Sequence, residues 1–310
     1  MARNVLIIGG TRFLGAAVTR VFVEQGDRVW LMNRGSRAVP CDGVENAVCD
    51  KSNRTAFAEL LRRRSWDVVV DTVLNDEDLT FVIDTLGTDV GVFVHTGSLG
   101  VYGNVRRLPA LESEPLCEHD GPPVVFNYKL RQDQRLMQSF LEKAFPSVIL
   151  RMSYIYGAGD IPLDGWGGRS MEFFRRLWAA ESVPIPGTGE ALLHPGHVND
   201  LARAFIHAAS DPRAVGQIYN VGGPFALRMV DYVKALAKAM DVEPRITFAS
   251  IQDIRTQFPD ETNERGMRFS TQHMCASIAK IETELGWRPE VSLAAGLRDN
   301  IDWLREQSFF

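Results

Sequence analysis

The residues with the most specific chemistry in this sequence stand near its start. Gly9-Gly10-Thr11-Arg12-Phe13-Leu14-Gly15 follows the apolar run Val5-Leu6-Ile7-Ile8 and precedes a stretch with helical spacing. Strand, glycine turn and helix in that order make a cradle for a diphosphate, in which Gly9 permits the tight turn and Gly15 lets helix and strand pack closely. The helix N-terminus contributes free N–H groups and a partial positive charge. Arg12 stands at the middle position, where a third glycine is usual. It either places a guanidinium near an adenosine phosphate or is an ordinary surface arginine.

The end of the second apolar run, Val29-Trp30-Leu31-Met32, selects between dinucleotides. A carboxylate there accepts hydrogen bonds from ribose hydroxyls and repels a 2′-phosphate. Here the chain reads Asn33-Arg34-Gly35-Ser36-Arg37 instead. Arg34 can stack on adenine and pair with a phosphate, and Arg37 adds a second guanidinium. The expected cofactor is therefore NADP(H) rather than NAD(H). Asp50, after the next apolar run, is placed to meet the adenine amino group or to cap the following helix near Asn53.

Positioning these groups requires an alternation of strands and helices, and the sequence shows one. Phe13, Leu14, Ala17, Val18, Val21 and Phe22 follow helical spacing, and Gly26 ends the helix. Further strand signals lie at Val44 to Val48, Asp67 to Asp71, Val92 to Val94 and Val148 to Leu150, with helices around Phe57 to Leu61 and from Val125 to Lys143. This rhythm predicts an α/β fold, a Rossmann-type doubly wound parallel sheet covered on both faces. After Tyr156 the texture changes to a Gly-, Pro- and Asp-rich loop over 157–168, read as lying near a ligand. The expected organisation is a dinucleotide-binding domain over 1–160, rejoined by 197–222, and a smaller, mostly helical substrate lobe from 161–196 and 223–310.

The chain has 310 residues, 45% hydrophobic and 24% charged, with a net charge of −5. That balance supplies no global positive field, so nucleic acid is an unlikely partner on charge grounds. Arg62-Arg63-Arg64 reads as a solvated helix end. Cys41, Cys49, Cys117 and Cys275 are scattered without metal-ligand spacing, so no metal site is expected. Reduced thiols, an early first strand and the lack of a membrane-length apolar run lead to the expectation of a cytoplasmic, membrane-free protein.

Five further motifs recur in a fixed order: Ser98-Leu99-Gly100-Val101-Tyr102-Gly103, Arg151-Met152-Ser153-Tyr154-Ile155-Tyr156-Gly157, His197-Val198-Asn199-Asp200-Leu201-Ala202, Tyr219-Asn220-Val221-Gly222-Gly223 and Leu285-Gly286-Trp287-Arg288-Pro289. With the glycine turn they make the chain resemble, nearly end to end, the extended short-chain dehydrogenase/reductase family, relatives of nucleotide-sugar epimerases and dehydratases. The turn and the stretch from Gly266 to Pro289 are most similar to the branch with chloroplast stem-loop-binding proteins.

The resemblance implies serine, tyrosine and lysine chemistry. Tyrosine exchanges a proton with the substrate oxygen, lysine lowers its pKa and holds the ribose, and serine polarises the oxygen. Ser98 matches the serine. Tyr128 matches the tyrosine if Gln132 stands in the lysine's place; in the other register Lys129 is the lysine and Val125 replaces the tyrosine. The Tyr128 register is preferred, with Gln132 one helical turn away. His95, His194 and His197 are read as structural.

The family's nucleotide-sugar enzymes usually carry an arginine where this chain has Leu193, which points to a more apolar pocket. The candidate substrate contacts are Ser153, Tyr154, Trp166, Leu193 and Arg268. The leading expectation is an NADP(H)-dependent oxidoreductase acting on a hydroxyl or carbonyl of a small metabolite. The alternatives are an epimerase or dehydratase with tightly held cofactor, and a non-catalytic cofactor- or RNA-binding protein. The resemblance also implies a homodimer through the helices around Leu79 to Leu86 and Val125 to Lys143.

Overall fold

A computed structural model of the chain describes residues 2–102, 107–116, 127–262 and 264–309, apart from the side chains at 265, 268 and 269. The first half runs β1 (Asn4–Ile8), α1 (Phe13–Glu24), β2 (Arg28–Asn33), β3 (Val44–Val48), α2 (Arg54–Arg62), β4 (Trp66–Asp71), α3 (Asp76–Leu86), β5 (Val90–Ser98), α4 (Asn127–Lys143) and β6 (Ser147–Met152). The second half begins with β7 (Tyr154–Tyr156), α5 (Met171–Trp178), β8 (Ser182–Pro186), β9 (Leu192–Leu193), β10 (Pro195–His197), α6 (Val198–Ser210) and β11 (Ile218–Val221). It ends with β12 (Leu227–Arg228), α7 (Met229–Ala239), β13 (Arg245–Ala249), α8 (Ile251–Gln257), α9 (Glu264–Ser270), α10 (Ala279–Leu285) and α11 (Leu293–Glu306).

Seven of these strands form one sheet in the order β11-β6-β5-β4-β1-β2-β3, every pair parallel. Parallel strands covered on both faces must be apolar along their length, which is why Val5 to Ile8 and Val68 to Val70 are buried runs rather than alternations. One face packs on α1 and α6 through Leu14, Val18, Phe22, Leu201 and Phe205. The other packs on α2, α3 and α4 through Phe57, Leu61, Leu79, Val82 and Leu136. The strand order reverses at β1, between β2 and β4, so a crevice opens outside the carboxyl ends of those strands.

A second apolar core joins α5, α7, α8 and α11. Trp166 stacks on Phe258 at 4.6 Å between ring centroids and meets Phe173 edge-on at 5.2 Å. This lobe is not purely helical. It holds the parallel pair β8–β13 and the antiparallel pair β9–β12, while β7–β10 runs beside the sheet's carboxyl end. The loop over 157–170 leads from the sheet into the lobe and is organised around Asp164. Its carboxylate accepts the backbone N–H groups of Trp166, Gly168 and Ser170 at 2.7–2.9 Å. Burial pushes that carboxyl up to about 6 against those hydrogen bonds.

Candidate active site

The glycine turn is closed to side chains. Gly9 has φ +95°, and a Cβ there would lie 2.5 Å from Val73. A Cβ on Gly15 would lie 2.4 Å from the Gly9 carbonyl oxygen, so α1 sits directly on the turn. The Thr19 hydroxyl ties the helix down by donating to the carbonyls of Gly10 and Gly15. Arg12 is the N-cap residue of α1 in extended conformation and makes no side-chain cap. An arginine has no acceptor to offer, so the first-turn N–H groups, from Phe13 onward, lack a side-chain partner and suit an anionic oxygen. Leu14 turns inward and anchors the helix in the core.

On the β2 side, the Asn33 side chain accepts the Gly35 N–H at 2.7 Å and shapes the turn carrying Arg34 and Arg37, both exposed. Asp50 accepts the N–H and hydroxyl of Ser52. Those bonds, with the nearby Arg34 charge, hold its carboxyl below the usual range. It does not cap α2, whose cap is Asn53, accepting from Ala56. Two exposed valines flank the crevice: Val73 over Gly9, and Val48 over Gly35. They present exposed apolar surface beside the turns, and sequence reading missed them because a lone exposed valine carries no pattern.

At the same end of the sheet, Ser98 closes β5, its hydroxyl accepting the Gly100 N–H at 3.1 Å. Tyr128 is exposed on the first turn of α4, and Val125 lies outside the described residues. Gln132 is buried, with its amide donating to the Leu74 carbonyl at 2.8 Å beneath the crevice. Lys129 brings a cation to this end of the sheet. Its ammonium donates to the Thr96 carbonyl at 2.7 Å, two residues before Ser98, and lies 5.5 Å from the Tyr128 ring centroid. Burial draws its pKa below the ordinary lysine value, opposed by the Asp71, Asp133 and Asp76 carboxylates.

Beneath these groups, buried polar side chains lock the strand ends together. Asp71 on β4 meets His95 on β5 at 2.7 Å, and its other oxygen accepts the Val73 and Leu74 N–H groups. Burial alone would raise the Asp71 carboxyl, but His95, Lys129 and the Leu74 N–H hold it down. Asp133 accepts from Arg151 at 2.8 Å; Arg151 donates to the Tyr102 hydroxyl, which donates to Asn220. Asp200 likewise accepts the Glu290 and Val291 N–H groups, while its carbonyl receives the Trp287 indole N–H.

The model of the family described as the NAD dependent epimerase/dehydratase family matches residues 5–78 and 75–222. The chain belongs to this epimerase/dehydratase family. Among its relatives is the chloroplast stem-loop binding protein of 41 kDa b of Arabidopsis thaliana, 29% identical over 98% of this chain and 80% of that protein. A UDP-glucose 4-epimerase from Thermotoga maritima, solved with UDP-glucose, has a TM-score of 0.78 at 18% identity, covering 98% and 99% of the two chains. A dTDP-glucose 4,6-dehydratase from Bacillus anthracis in complex with NAD has a TM-score of 0.78 at 16% identity, covering 99% and 98%.

The epimerase/dehydratase motifs thus have a physical reading here. They are the strand ends and helix starts joined by the Tyr102–Arg151–Asp133 and Asp200–Trp287 networks. Of the expected substrate contacts, Ser153 and Tyr154 lie where β6 passes into β7. Trp166 and Leu193 are both fully buried in the second lobe's core. Trp166 spends its N–H on the Pro184 carbonyl, and Leu193 pairs with Leu227 in a sheet fragment. The Arg268 side chain lies outside the described residues. His194 donates its Nε2–H to the Gly223 carbonyl at 2.8 Å, and His197 caps α6, consistent with structural roles.

Proposed function

We propose that this chain is a nicotinamide-dinucleotide-dependent enzyme of the epimerase/dehydratase type, acting at a carbinol carbon of a small hydroxylated metabolite. The observation that carries this reading is Lys129. It is a half-buried ammonium held on the Thr96 carbonyl, two residues before Ser98, at the same end of the sheet as an uncapped, glycine-built helix N-terminus. A nicotinamide ring bound there supplies reversible hydride exchange with the substrate carbon. The turn from Gly9 to Gly15 would hold the diphosphate, and Val48 and Val73 the adenine faces. Arg34 and Arg37, with no carboxylate at the end of β2, favour NADP(H) over NAD(H).

In this proposal Ser98 polarises the substrate oxygen and Tyr128 exchanges its phenolic proton with it. Lys129 orients the ribose and makes the tyrosinate less costly. Gln132 is a positioning residue, acting through the Leu74 loop. The burial of Leu193, where nucleotide-sugar enzymes of the family usually carry an arginine, favours a substrate smaller than a sugar diphosphate.

Titration of the purified protein with NADPH and NADH by nicotinamide fluorescence tests the cofactor, and tighter NADPH binding is expected. Cofactor recovered in its starting redox state after turnover supports the epimerase/dehydratase reading. Stoichiometric conversion instead establishes net NADP(H) oxidoreduction, the second reading, which the exposed Arg34 and Arg37 favour. Failure to bind either dinucleotide overturns both. We further propose a homodimer through α3 and α4, with Leu141 exposed on α4; sedimentation at a single-subunit mass would exclude it.

A further inference from the structure

The loop leading into the second lobe carries a charged group that the chemistry above does not use. The Asp160 carboxylate lies 3.8 Å from Arg12 and 3.4 Å from Arg169. Arg12 is the N-cap residue of α1, and Arg169 directly precedes Ser170, the N-cap of α5 in the other lobe. Asp160 is fixed independently of both arginines, because its carbonyl accepts the Asn300 amide at 2.9 Å and Asn300 also accepts the Gly157 N–H. Arg169 also donates to the Ile161 carbonyl. Its guanidinium stands 5.8 Å from the Phe13 ring centroid and 5.5 Å from that of Tyr154. It is therefore directed at the glycine turn rather than at open solvent.

Stability does not account for this arrangement. Both ion pairs are long, and the arginine side chains are 59% and 35% exposed; such pairs contribute little. What the geometry does achieve is to bring one guanidinium from each lobe to a single carboxylate in front of N–H groups that no side chain caps.

We propose that Arg169 is a diphosphate-binding residue supplied by the second lobe, and that Asp160 is a placeholder. When a dinucleotide enters, Arg12 and Arg169 exchange the single carboxylate for the diphosphate, and the two lobes are joined through the ligand. This inference rests on the dinucleotide reading of the turn. It adds a cofactor contact outside the Rossmann half and a carboxylate that competes with the ligand.

The test is a pair of affinities measured by calorimetry. Arg169→Gln weakens the tighter-binding dinucleotide, NADPH or NADH, about tenfold, as loss of one charge-assisted contact would. Its affinity for a mononucleotide bearing the same adenosine end, which lacks the diphosphate, stays within about twofold, and Arg169→Lys recovers part of the loss. Asp160→Asn tightens dinucleotide binding severalfold, whereas a merely structural Asp160 predicts weaker binding. An unchanged dinucleotide affinity in Arg169→Gln, or an equal loss for both ligands, overturns the inference and leaves the glycine-turn site standing. Wild-type protein that binds neither dinucleotide overturns the turn site itself, and this inference with it.

Discussion

At the scale of single residues, the decisive assignment is which side chain of α4 faces the reaction. Lys129 and Gln132 are three residues apart; Gln132 is buried with Asp133 and Leu136, and Lys129 is half-buried. Their ends differ: the lysine reaches Thr96 beside Ser98, and the glutamine reaches Leu74 under the crevice. Lys129→Met should therefore lower turnover by about a hundredfold or more, the range of lost acid–base assistance. Gln132→Met should instead lower the melting temperature, at a cost of about 1–2 kcal/mol for the orphaned Leu74 carbonyl, with turnover largely kept. Single-turnover rates with thermal melts separate the two, and the reverse pattern would restore the Gln132 assignment. Spacing could not decide this in the sequence, because positions three and four apart share a helix face. The choice depends on which carbonyl each side chain meets, and those carbonyls belong to distant strands. Arg12, Arg34, Arg37 and Asp50 could be singled out as candidates for the opposite reason. Each stands at the end of a strand whose apolar run announces it, and in a parallel sheet strand ends mark the ligand's side.

At the scale of elements, legibility follows length and burial. The central strands β1, β2 and β4 are read as near-continuous apolar runs because both faces are covered, whereas the edge strand β3, with Glu45 and Asn46, is exposed along most of its length. The strands β7, β9, β10 and β12, of two or three residues, are set by what they pair with and leave no period in the sequence. The turn before α1 was legible through its glycines, and it also offers a sharp test. A Cβ on Gly15 would meet backbone atoms at 2.4 and 2.9 Å, and neither can rotate away. Gly15→Ala should cost about 2–3 kcal/mol by overpacking and abolish dinucleotide binding, measured by denaturant titration and fluorescence. Full affinity in a stable Gly15→Ala protein would remove the turn from the site. The 157–170 loop gives a pH signature. Asp164 is raised to about 6 in the fold by burial. The folded state therefore holds its proton where the unfolded chain has lost it, and stability falls as pH rises from about 4 through about 6. Against Asp164→Asn, the wild type should lose up to about 3 kcal/mol across that window and then run parallel to it. A constant difference over the window would show that the carboxyl is already ionised below it.

At the scale of the whole molecule, the sequence shows where the second lobe begins but not how it is tied back. The change of texture after Tyr156 marks the departure. The ties are contacts across ninety or more residues, such as Asn300 with Gly157 and Asp160, and Asp200 with the chain after Trp287. No local pattern encodes them. Among the described residues, no helix is long and apolar enough to cross a membrane. Separate apolar cores lie on the two faces of the large sheet and in the second lobe, and a ligand gripped from both lobes should stabilise them together. At a free dinucleotide concentration about a hundred times its dissociation constant, linkage adds about 2.7 kcal/mol. For a chain of this length that is a rise of about 4 °C in melting temperature. Where the protection falls is the informative part. In the wild type, dinucleotide should slow amide exchange both in the first turn of α1 and in the 157–170 loop. In Arg169→Gln, held at the same fractional saturation, slowing should remain at α1 and be lost from the loop. Protection confined to the Rossmann half in both proteins would mean that the ligand is bound by one lobe alone, and that the guanidinium facing Phe13 serves only the loop's own packing.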